Sequence, residues 1–385
     1  MDRFKSPPRR KMGMLHRNVK RGFETVHRAG YKAAMTSVRL RDVAAAAGVS
    51  AGTASNVFNR PEAVRPELRE RVLAAARTLG YAGPEPAARA LRRGRAHLIA
   101  LVTDEAATYV LGDPFGRRLL AGIASVCDET GDGLTIASTA GAASGGWSIE
   151  TALVDGFILF CFAERDETLA KAVARGLPLV TVDSARAPGV PSVGIDDARA
   201  AEEAAGHLLG LGHRRFGVLS MELAKDGSTG PVSAERAAAA PASGSRARLE
   251  GYRRALAAAG VGPEAAPVFE TQNDREGVQA GVAWLMDRPD PPTALLAMSD
   301  VMALAALDAL AARGLRAPQD VSLVGFDDAP EAARAHPPLT TVGQPAEEKG
   351  RAAAQMLLGL REARDLVLPA ALVRRATTGP PPPRR

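Results

Sequence analysis

Apolar residues recur every three or four positions near the front of the chain, and from about residue 97 they fall instead into short strand-like runs. The helical period begins with Leu40, Val43, Ala44 and Ala47, which share one face of a predicted helix. Gly48 then ends this helix, because glycine tolerates the left-handed backbone that a sharp turn requires.

A second predicted helix follows directly. Ser50 stands at its N-cap, where a hydroxyl can accept a hydrogen bond from an otherwise unpaired backbone N–H. Its inner face carries Thr53, Ala54 and Val57, and a third helix is predicted over Pro66–Leu79. Two short helices joined at a glycine turn are typical of a helix-turn-helix.

The outward positions of the second helix are small or hydrogen-bonding and carry no negative charge, so nothing there repels phosphate. Such a surface suits a helix laid in the major groove of DNA. The residues predicted to contact DNA are Ser50, Ala51, Gly52, Thr53, Ser55, Asn56 and Asn59. The alternative is an amphipathic helical hairpin that belongs to another kind of domain.

Behind residue 97, β-rich runs alternate with amphipathic helical segments. The runs are LIALVT, GLTIAS, GFILFCF, PLVTVD, SVGI, FGVLS, TALLAM and VSLVGF. Repeated strand-helix units predict parallel sheets covered by helices on both faces. About 280 residues of this pattern exceed what one sheet usually holds, so we predict two doubly wound subdomains.

Ligands of such sheets bind beyond the carboxyl ends of the strands. The polar residues at those ends are Asp104, Asp113, Asp183, Asp196, Asp197, Ser220, Ser299, Asp300, Asp327 and Asp328. Converging carboxylates favour a small polyhydroxylated or heterocyclic ligand, and Phe115 could stack on its ring. For Asp196, Asp197 and Asp300 the alternative is that they only cap the helices that follow them.

The net charge of +6 divides unevenly along the 385 residues. Up to Arg95 the chain has 21 Lys and Arg against 7 Asp and Glu, a balance of +14, whereas the remainder has 28 against 36, a balance of −8. A front part this basic attracts a polyanion and makes binding dependent on salt.

Other classes of protein find little support. No uncharged apolar run reaches 18 residues, so no membrane contact is expected, and Cys127 and Cys161 fit apolar patterns better than a metal site or disulfide. The motifs HExxH, GxxxxGK[ST] and CxxC do not occur, and His213 follows a turn where a structural role is expected. We therefore predict no cofactor, no metal and no enzymatic activity.

Three stretches lack a clear pattern. Residues 1–35 are basic without a secretory apolar core, which fits either a disordered arm or a true translation start at Met35. Residues 221–245 are rich in Ala, Gly, Ser and Pro and are predicted to be a long mobile loop, either a lid or a plain insertion. Residues 379–385 form an extended tail.

The pattern DVAxxAGVSxxTxSxVxN, followed by GY and then AARALRRGR, resembles the lac repressor family of bacterial transcription regulators from about Thr36 to Thr378. The resemblance implies an all-α helix-turn-helix DNA-binding domain at 36–82, a hinge at 83–96, and an α/β periplasmic-binding-protein-like core at 97–378 for effector binding and dimerisation. It divides the core into an N-lobe (97–212 and 343–366) and a C-lobe (213–342 and 367–378). The expected crossings are at Gly210–His213 and Thr341–Gly343.

The resemblance also assigns roles to residues of the hinge. In a dimer of this family the two hinge helices enter the minor groove of DNA. Leu91 would wedge into the central base step, Ala88 would permit close approach, and Arg89 and Arg92 would contact phosphates. The alternative is a plain interdomain linker.

In the core, the segment RLEGY aligns Arg248 with the family's effector-binding arginine, and VGFDD aligns Asp327 with its effector-binding aspartate. Ser299 and Asp300 occupy a pocket-edge position where Asn-Asp is usual, so Ser299 is a departure. The complete set of predicted effector contacts is Asp113, Phe115, Asp183, Asp197, Arg248, Ser299, Asp300 and Asp327.

The recognition helix departs from the family at Asn56, where Arg is usual. Asparagine pairs with adenine where arginine prefers guanine, so a different base preference is expected there. The predicted protein is a cytoplasmic, nucleoid-associated repressor that binds double-stranded operator DNA as a homodimer or tetramer under control of a sugar or similar effector. The alternatives are a regulator without an effector, a solute-binding protein or an enzyme on the same core.

Overall fold

A computed structural model describes residues 38–83, 94–140, 147–163, 167–241 and 243–383. The predicted basic extension and the predicted hinge contacts Ala88, Arg89, Leu91 and Arg92 lie outside these residues. The chain divides into two compact units, with the boundary between Gly94 and Arg95.

The first unit contains three helices in its described part, α1 (Leu40–Ala46), α2 (Ala51–Asn59) and α3 (Pro66–Leu79), with a 3₁₀ turn at Pro61–Ala63. Gly48 has a φ of +62°, which confirms the predicted glycine turn. Ser50 Oγ accepts a hydrogen bond from Thr53 N at 3.0 Å, as expected of an N-cap. The turn is also held from α3, because Arg71 donates to the carbonyl oxygens of Ala47 and Gly48.

The apolar faces of these helices meet in one small core. Its buried members are Val43, Ala44, Ala47, Ala54, Val57, Val72 and Ala76. Phe58 and Tyr81 pack against this core, and their two rings meet edge to face with centroids 5.5 Å apart. The packing leaves the opposite face of α2 exposed to solvent.

The second unit has the alternating order that the sequence predicts. Its elements are β1 (Leu98–Thr103), α4 (Ala107–Gly112), α5 (Pro114–Thr130), β2 (Gly133–Ser138), β3 (Gly156–Phe160), α6 (Glu167–Ala174), β4 (Leu179–Val182), β5 (Ser192–Gly194), α7 (Asp197–Gly210), β6 (Phe216–Ser220), β7 (Gly230–Pro231), α8 (Ala234–Ala239), α9 (Gly244–Ala258), β8 (Val268–Glu270), α10 (Arg275–Met286), β9 (Ala294–Ala297), α11 (Asp300–Ala312), β10 (Ser322–Asp327), α12 (Pro330–Arg334), β11 (Thr340–Gly343), α13 (Ala346–Leu357), β12 (Leu366–Val367) and β13 (Ala371–Val373).

The strands form two sheets, each the centre of one lobe. The first has the order β12-β5-β4-β3-β1-β2 with parallel pairing, and the second has the order β13-β11-β10-β9-β6-β8-β7, antiparallel at its two outer pairs. Inner strands such as β3 and β9 are buried along their whole length, because helices cover both faces. The predicted α/β core of two doubly wound subdomains is therefore confirmed.

The predicted lobe boundary at residue 212 is wrong. Helix α7 buries Ala201, Ala205 and Leu208 in the core of the second lobe and packs against α9. The chain therefore crosses between lobes before Asp197, and the glycines of the 210–213 turn lie inside the second lobe. Val367 is also misassigned, because β12 pairs with β5 in the first sheet.

The stretch 221–245 is not the loop without secondary structure that its composition predicts. It contains β7 and α8, and it is fastened at the edge of the second sheet by Arg236. The Arg236 guanidinium bonds Glu270 and places two nitrogens 2.9 Å from the carboxylate of Asp226. Because the Glu270 carboxylate also accepts from Leu223 N at 2.6 Å, this buried charge has partners on both sides.

Candidate functional site

A cavity of about 210 Å³ lies between the two lobes of the second unit, at the carboxyl ends of the strands. The first lobe lines it with Glu105, Tyr109, Val110, Asp113, Phe115, the residues 160–163 and Asp183. The second lobe contributes Asp197, the residues 221–225, Pro241, the residues 243–245, Arg248, Gln272, Asn273, Ser299 and Asp327, and Gln344 lies at a crossing between the lobes. This is the position that a doubly wound topology predicts for a ligand.

Three of the strand-end residues have unusual backbone conformations. Cys161 follows β3, Asp183 follows β4 and Asp327 ends β10, and their φ angles are +63°, +46° and +117°. Positive φ is uncommon for residues other than glycine and concentrates at functional sites. Here it turns the chain at the strand ends that face the cavity.

One side of the cavity is built on a buried lysine. Lys349 on α13 is fully buried, and its Nζ lies 2.6 and 2.8 Å from the two carboxylate oxygens of Asp183. The third bond goes to Gln344 Oε1 at 2.5 Å, so the ammonium group uses all of its protons. Gln344 in turn donates from Nε2 to Asp327 Oδ1, also at 2.5 Å.

The network continues into the second lobe through Arg248 on α9. Its Nε donates to Asp197 Oδ1 at 2.8 Å, its Nη1 donates to Met298 O at 2.5 Å, and its guanidinium lies 3.7 Å from the centroid of the Phe326 ring. Asp327 Oδ1 is 4.0 Å from the guanidinium. The floor, defined as Asp183, Asp197, Arg248, Asp327, Gln344 and Lys349, is thus one connected polar network.

Burial dominates the electrostatics of the floor. It raises the pKa of the Asp183 and Asp327 carboxyl groups above their ordinary values, while Lys349 and Arg248 oppose this shift. Neighbouring carboxylates raise the pKa of the Arg248 guanidinium despite its burial. Each charge of the floor therefore depends on its ion partner.

A second set of contacts joins the lobes at the more exposed side of the cavity. Lys225 of the second lobe forms ion pairs with Asp104 and Glu105 at the end of β1. Asn273 Nδ2 of the same lobe donates to the Tyr109 hydroxyl at 2.6 Å. We call these five residues the mouth of the cavity.

The predicted aromatic and polar contacts have definite places. Phe115 lies near the cavity with its ring stacked on Phe160 at a centroid distance of 6.1 Å. Asp113 caps α5 by accepting from Gly116 N at 2.8 Å, and burial raises the pKa of this carboxyl group. Ser299 caps α11 and donates to Asn273 Oδ1 at 2.6 Å. All three line the cavity, and their contact with a ligand stays a prediction.

The prediction that Asp300 contacts the effector is wrong in this structure. Its side chain does not line the cavity, because Oδ1 accepts from Thr341 Oγ1 at 2.5 Å and Oδ2 accepts from Ala329 N at 2.7 Å. Burial raises the pKa of this carboxyl group to about 7. Asp300 instead fixes the turn after β10. Asp196, in contrast, caps the helix that follows it, because its carboxylate accepts from Arg199 N at 3.0 Å.

The sequence did not predict five residues of the site, which are Lys349, Gln344, Tyr109, Asn273 and Lys225. The only available signal was the position of Lys349 on the inward stripe of α13, between residues that the helix buries.

His213, by contrast, has the predicted structural role, since its ring nitrogens lie 2.8 Å from Thr293 Oγ1 and 2.9 Å from Gly379 O.

In the first unit, α2 presents Ala51, Gly52 and Asn56 to solvent. Ser50 and Thr53 share a hydroxyl contact of 2.9 Å at the start of this helix. Asn59 donates from Nδ2 to Ser55 O at 3.0 Å. The predicted DNA contacts of this helix therefore include exposed residues and residues that also bond within the helix.

No described helix combines the length and the apolar character that a bilayer crossing requires. Within the described ranges, His, Cys, Asp and Glu side chains form no cluster suited to a metal ion. Cys127 and Cys161 are free thiols.

Comparison with known families gives two matches along the chain. Residues 39–83 match the bacterial regulatory proteins of the lacI family, and residues 205–378 match a periplasmic binding protein-like domain. The first match covers the three helices of the first unit. The second match runs from within α7 through β13, so it includes most of the second lobe together with α13 and β12.

Individual proteins are similar over nearly the whole chain. An HTH-type transcriptional regulator of Mycobacterium tuberculosis is 41% identical over 352 residues, 89% of this chain and 97% of that protein. The transcriptional regulator CelR in complex with cellobiose has 31% identity and a TM-score of 0.61, with 88% of this chain and 99% of that chain covered. The lac repressor dimer bound to operator and an anti-inducer has 26% identity and a TM-score of 0.66, covering 89% and 99%.

Proposed function

The chain belongs to the lac repressor family of bacterial transcription regulators, and from this premise we propose that it represses transcription as a homodimer controlled by a sugar-like effector. The first unit would read operator DNA, and the cavity of the second unit would hold the effector. Ligand closure of the lobes would shift the dimer between states that bind operator and states that do not. Its place of action would be the cytoplasm, at the nucleoid.

The connected floor of the cavity is the observation that supports an effector most strongly. Asp183 accepts from Lys349 on both carboxylate oxygens and Asp327 accepts from Gln344 on one, and both carboxylates keep further lone pairs that hydroxyl groups of a ligand could use. Phe115 offers an apolar ring face beside them. Aromatic faces combined with carboxylate acceptors suit a polyhydroxylated ring, and one similar solved protein holds cellobiose.

The DNA-binding proposal depends on the exposed face of α2. Ala51 and Gly52 permit close approach to the groove, and Asn56 can pair with an adenine edge through its amide. Ser50, Thr53, Ser55 and Asn59 would add contacts along the same helix. For the hinge, we retain the proposal that Leu91 wedges into the minor groove with Ala88, Arg89 and Arg92 around it.

The test is electrophoretic retardation of DNA upstream of the chain's own gene, with and without a panel of sugars. We expect sequence-specific retardation that weakens as salt rises, and a change of affinity with at least one sugar. Footprinting would locate two half-sites related by a dyad if a homodimer binds. Equal retardation of all duplexes, whatever sugar is present, would contradict the proposal.

Asn56 provides a sharper test of the reading helix. We expect Asn56→Arg to shift the preferred base in each half-site without loss of binding, because asparagine favours adenine and arginine favours guanine. Selection from random duplexes would give both consensus sequences. Identical consensus sequences for the two proteins would contradict the predicted contact.

A further inference from the structure

Lys349 has a feature that ordinary surface lysines lack, because its side chain is 0% exposed. A buried ammonium ion is costly unless ion partners and hydrogen bonds replace its water. Asp183 and Gln344 supply these partners, and the Phe115 ring centroid lies 5.1 Å from Nζ. No proton of the ammonium group therefore remains for a ligand.

The lysine also determines which way Gln344 faces. An ammonium group can only donate, so the Gln344 oxygen must face Lys349 and its nitrogen must face Asp327. The amide thus carries the influence of Lys349 from the first lobe to a carboxylate of the second. As a result, Asp183 and Asp327 are both held as oriented acceptors at the cavity.

The other charged residues of the described lining also favour a ligand that donates hydrogen bonds. Arg248 is paired with Asp197 at 2.8 Å, and Lys225 is paired with Asp104 and Glu105. The cavity is also lined by the carboxyl groups of Asp113 and Glu222. Among the described residues of the lining, carboxylates therefore outnumber cations, and these cations already have ion partners.

We propose that Lys349 is a specificity-determining residue that configures the floor as hydrogen-bond acceptors, so that the cavity selects uncharged polyhydroxylated ligands over their phosphate esters. This inference rests on the proposed effector function of the cavity. A phosphate group would meet oriented carboxylates, while each lysine and arginine of the described lining is already paired with a carboxylate. A neutral ligand would instead donate its hydroxyl protons to Asp183 and Asp327.

The role of Lys349 has a signature in the pH dependence of binding. Asp183 is faced by Lys349 from α13, Cys161 from the end of β3, Asp197 from the start of α7 and Arg248 from α9. Burial raises the pKa of Asp183, and Lys349 opposes the rise most strongly. Without the lysine, Asp183 would hold its proton at higher pH and would cease to be a pure acceptor.

The experiment is calorimetric titration of the full-length protein with ribose, glucose and cellobiose and with ribose 5-phosphate and glucose 6-phosphate. We expect at least one uncharged sugar to bind and to be favoured over its ester by roughly tenfold or more. Lys349→Met should weaken sugar binding by about tenfold to a hundredfold and make it fall further as the pH is lowered. Wild-type affinity should change less over the same pH range.

Two further variants separate this role from a loss of folding. The double variant Asp183→Asn, Lys349→Met removes the buried charges together, so it should fold well while sugar affinity stays low. Lys171→Met, which removes a half-exposed lysine of the same lobe, should leave binding unchanged. Unfolding in urea would verify that each variant is folded.

Equal binding of sugars and esters, the absence of binding by every uncharged member, or a Lys349→Met affinity and pH profile like wild type would each overturn the inference. Retardation of operator DNA without any sugar is measured in parallel. If the DNA-binding arm succeeds and the esters bind as well as the sugars, only this inference fails. If no duplex is bound specifically, the proposed function fails independently of ligand selectivity.

Discussion

The floor and the mouth of the cavity contain the same kinds of charged side chain but differ in how deeply these are buried and how they are connected. In the floor, Arg248 and Lys349 are buried and connected through Gln344 and Asp327, so each charge depends on the others. In the mouth, Lys225 is 45% exposed and pairs with the carboxylates of Asp104 and Glu105 across the gap between lobes. Exposed ion pairs contribute little stability, whereas breaking a buried pair leaves an uncompensated charge.

From this difference we infer separate roles for the floor and the mouth. The floor surrounds the point where the chain crosses between lobes at Gln344, so its geometry can persist while the lobes rotate. The mouth joins residues far apart in the chain, such as Tyr109 and Asn273, and each contact can break at low cost. Selectivity and stability would therefore depend on the floor, and closure would depend on the mouth.

The largest effect is expected from Arg248→Met. Loss of the guanidinium leaves Asp197 and Asp327 without their buried cation, which should lower the free energy of unfolding by about 3 to 5 kcal/mol. Urea unfolding followed by circular dichroism would measure it. Arg254→Met is the matched control on the same helix, because its pair with Glu202 is exposed, and a change within about 0.5 kcal/mol is expected.

The helix that carries Arg248 also has a close contact that can be tested. A Cβ at Gly251 on α9 would lie 2.1 Å from Ala198 O on α7, so Gly251→Ala must push the two helices apart. We expect a loss of roughly 1 to 3 kcal/mol in unfolding free energy and weaker effector binding. Gly206→Ala on α7 meets no atom within 4 Å and should stabilise by about 0.5 to 1 kcal/mol. Equal effects of the two substitutions would contradict this packing.

Asp300 lies beside the floor and gives a prediction about pH. Its folded-state pKa of about 7 exceeds the ordinary value near 3.9, so the folded protein retains a proton that the unfolded chain has lost between about pH 4 and 7. This group therefore makes stability fall as pH rises through that window, by up to roughly 1.4 kcal/mol per pH unit, with no further loss above it. Asp300→Asn removes this group, so the difference in unfolding free energy between wild type and variant should change with pH across this window. Parallel profiles would contradict the raised pKa.

The order of the core elements could be predicted because apolar runs such as β3 and β9 leave no other place for their side chains. The partner of a helix could not, because the inward face of α7 is apolar whichever sheet receives it. Lys349 was missed for a related reason, since a lysine in a helix usually faces water and its burial depends on Asp183, which lies 166 residues away in the chain.

The candidate site shows the same limit. Strand-end position was enough to bring Asp183 and Asp327 to the cavity, because parallel strands end at one edge. The same reasoning misplaced Asp300, whose carboxylate is occupied by Thr341 and the backbone of Ala329. Which strand-end carboxylates face the cavity depends on their side-chain partners, and the local sequence pattern does not reveal these partners.

The smallest effect on stability, and the most informative about the mouth, is expected from Lys225→Met. Its ion pairs with Asp104 and Glu105 are partly exposed, so the free energy of unfolding should change by less than about 1 kcal/mol. These pairs join the two lobes, so their loss should favour an open arrangement and lower effector affinity by a few fold. Small-angle scattering with and without effector would show the shift, and Lys171→Met serves as the control. If Lys225→Met destabilised the fold as much as Arg248→Met, the mouth would be part of the rigid framework, because a contact that breaks on opening cannot also be required for folding.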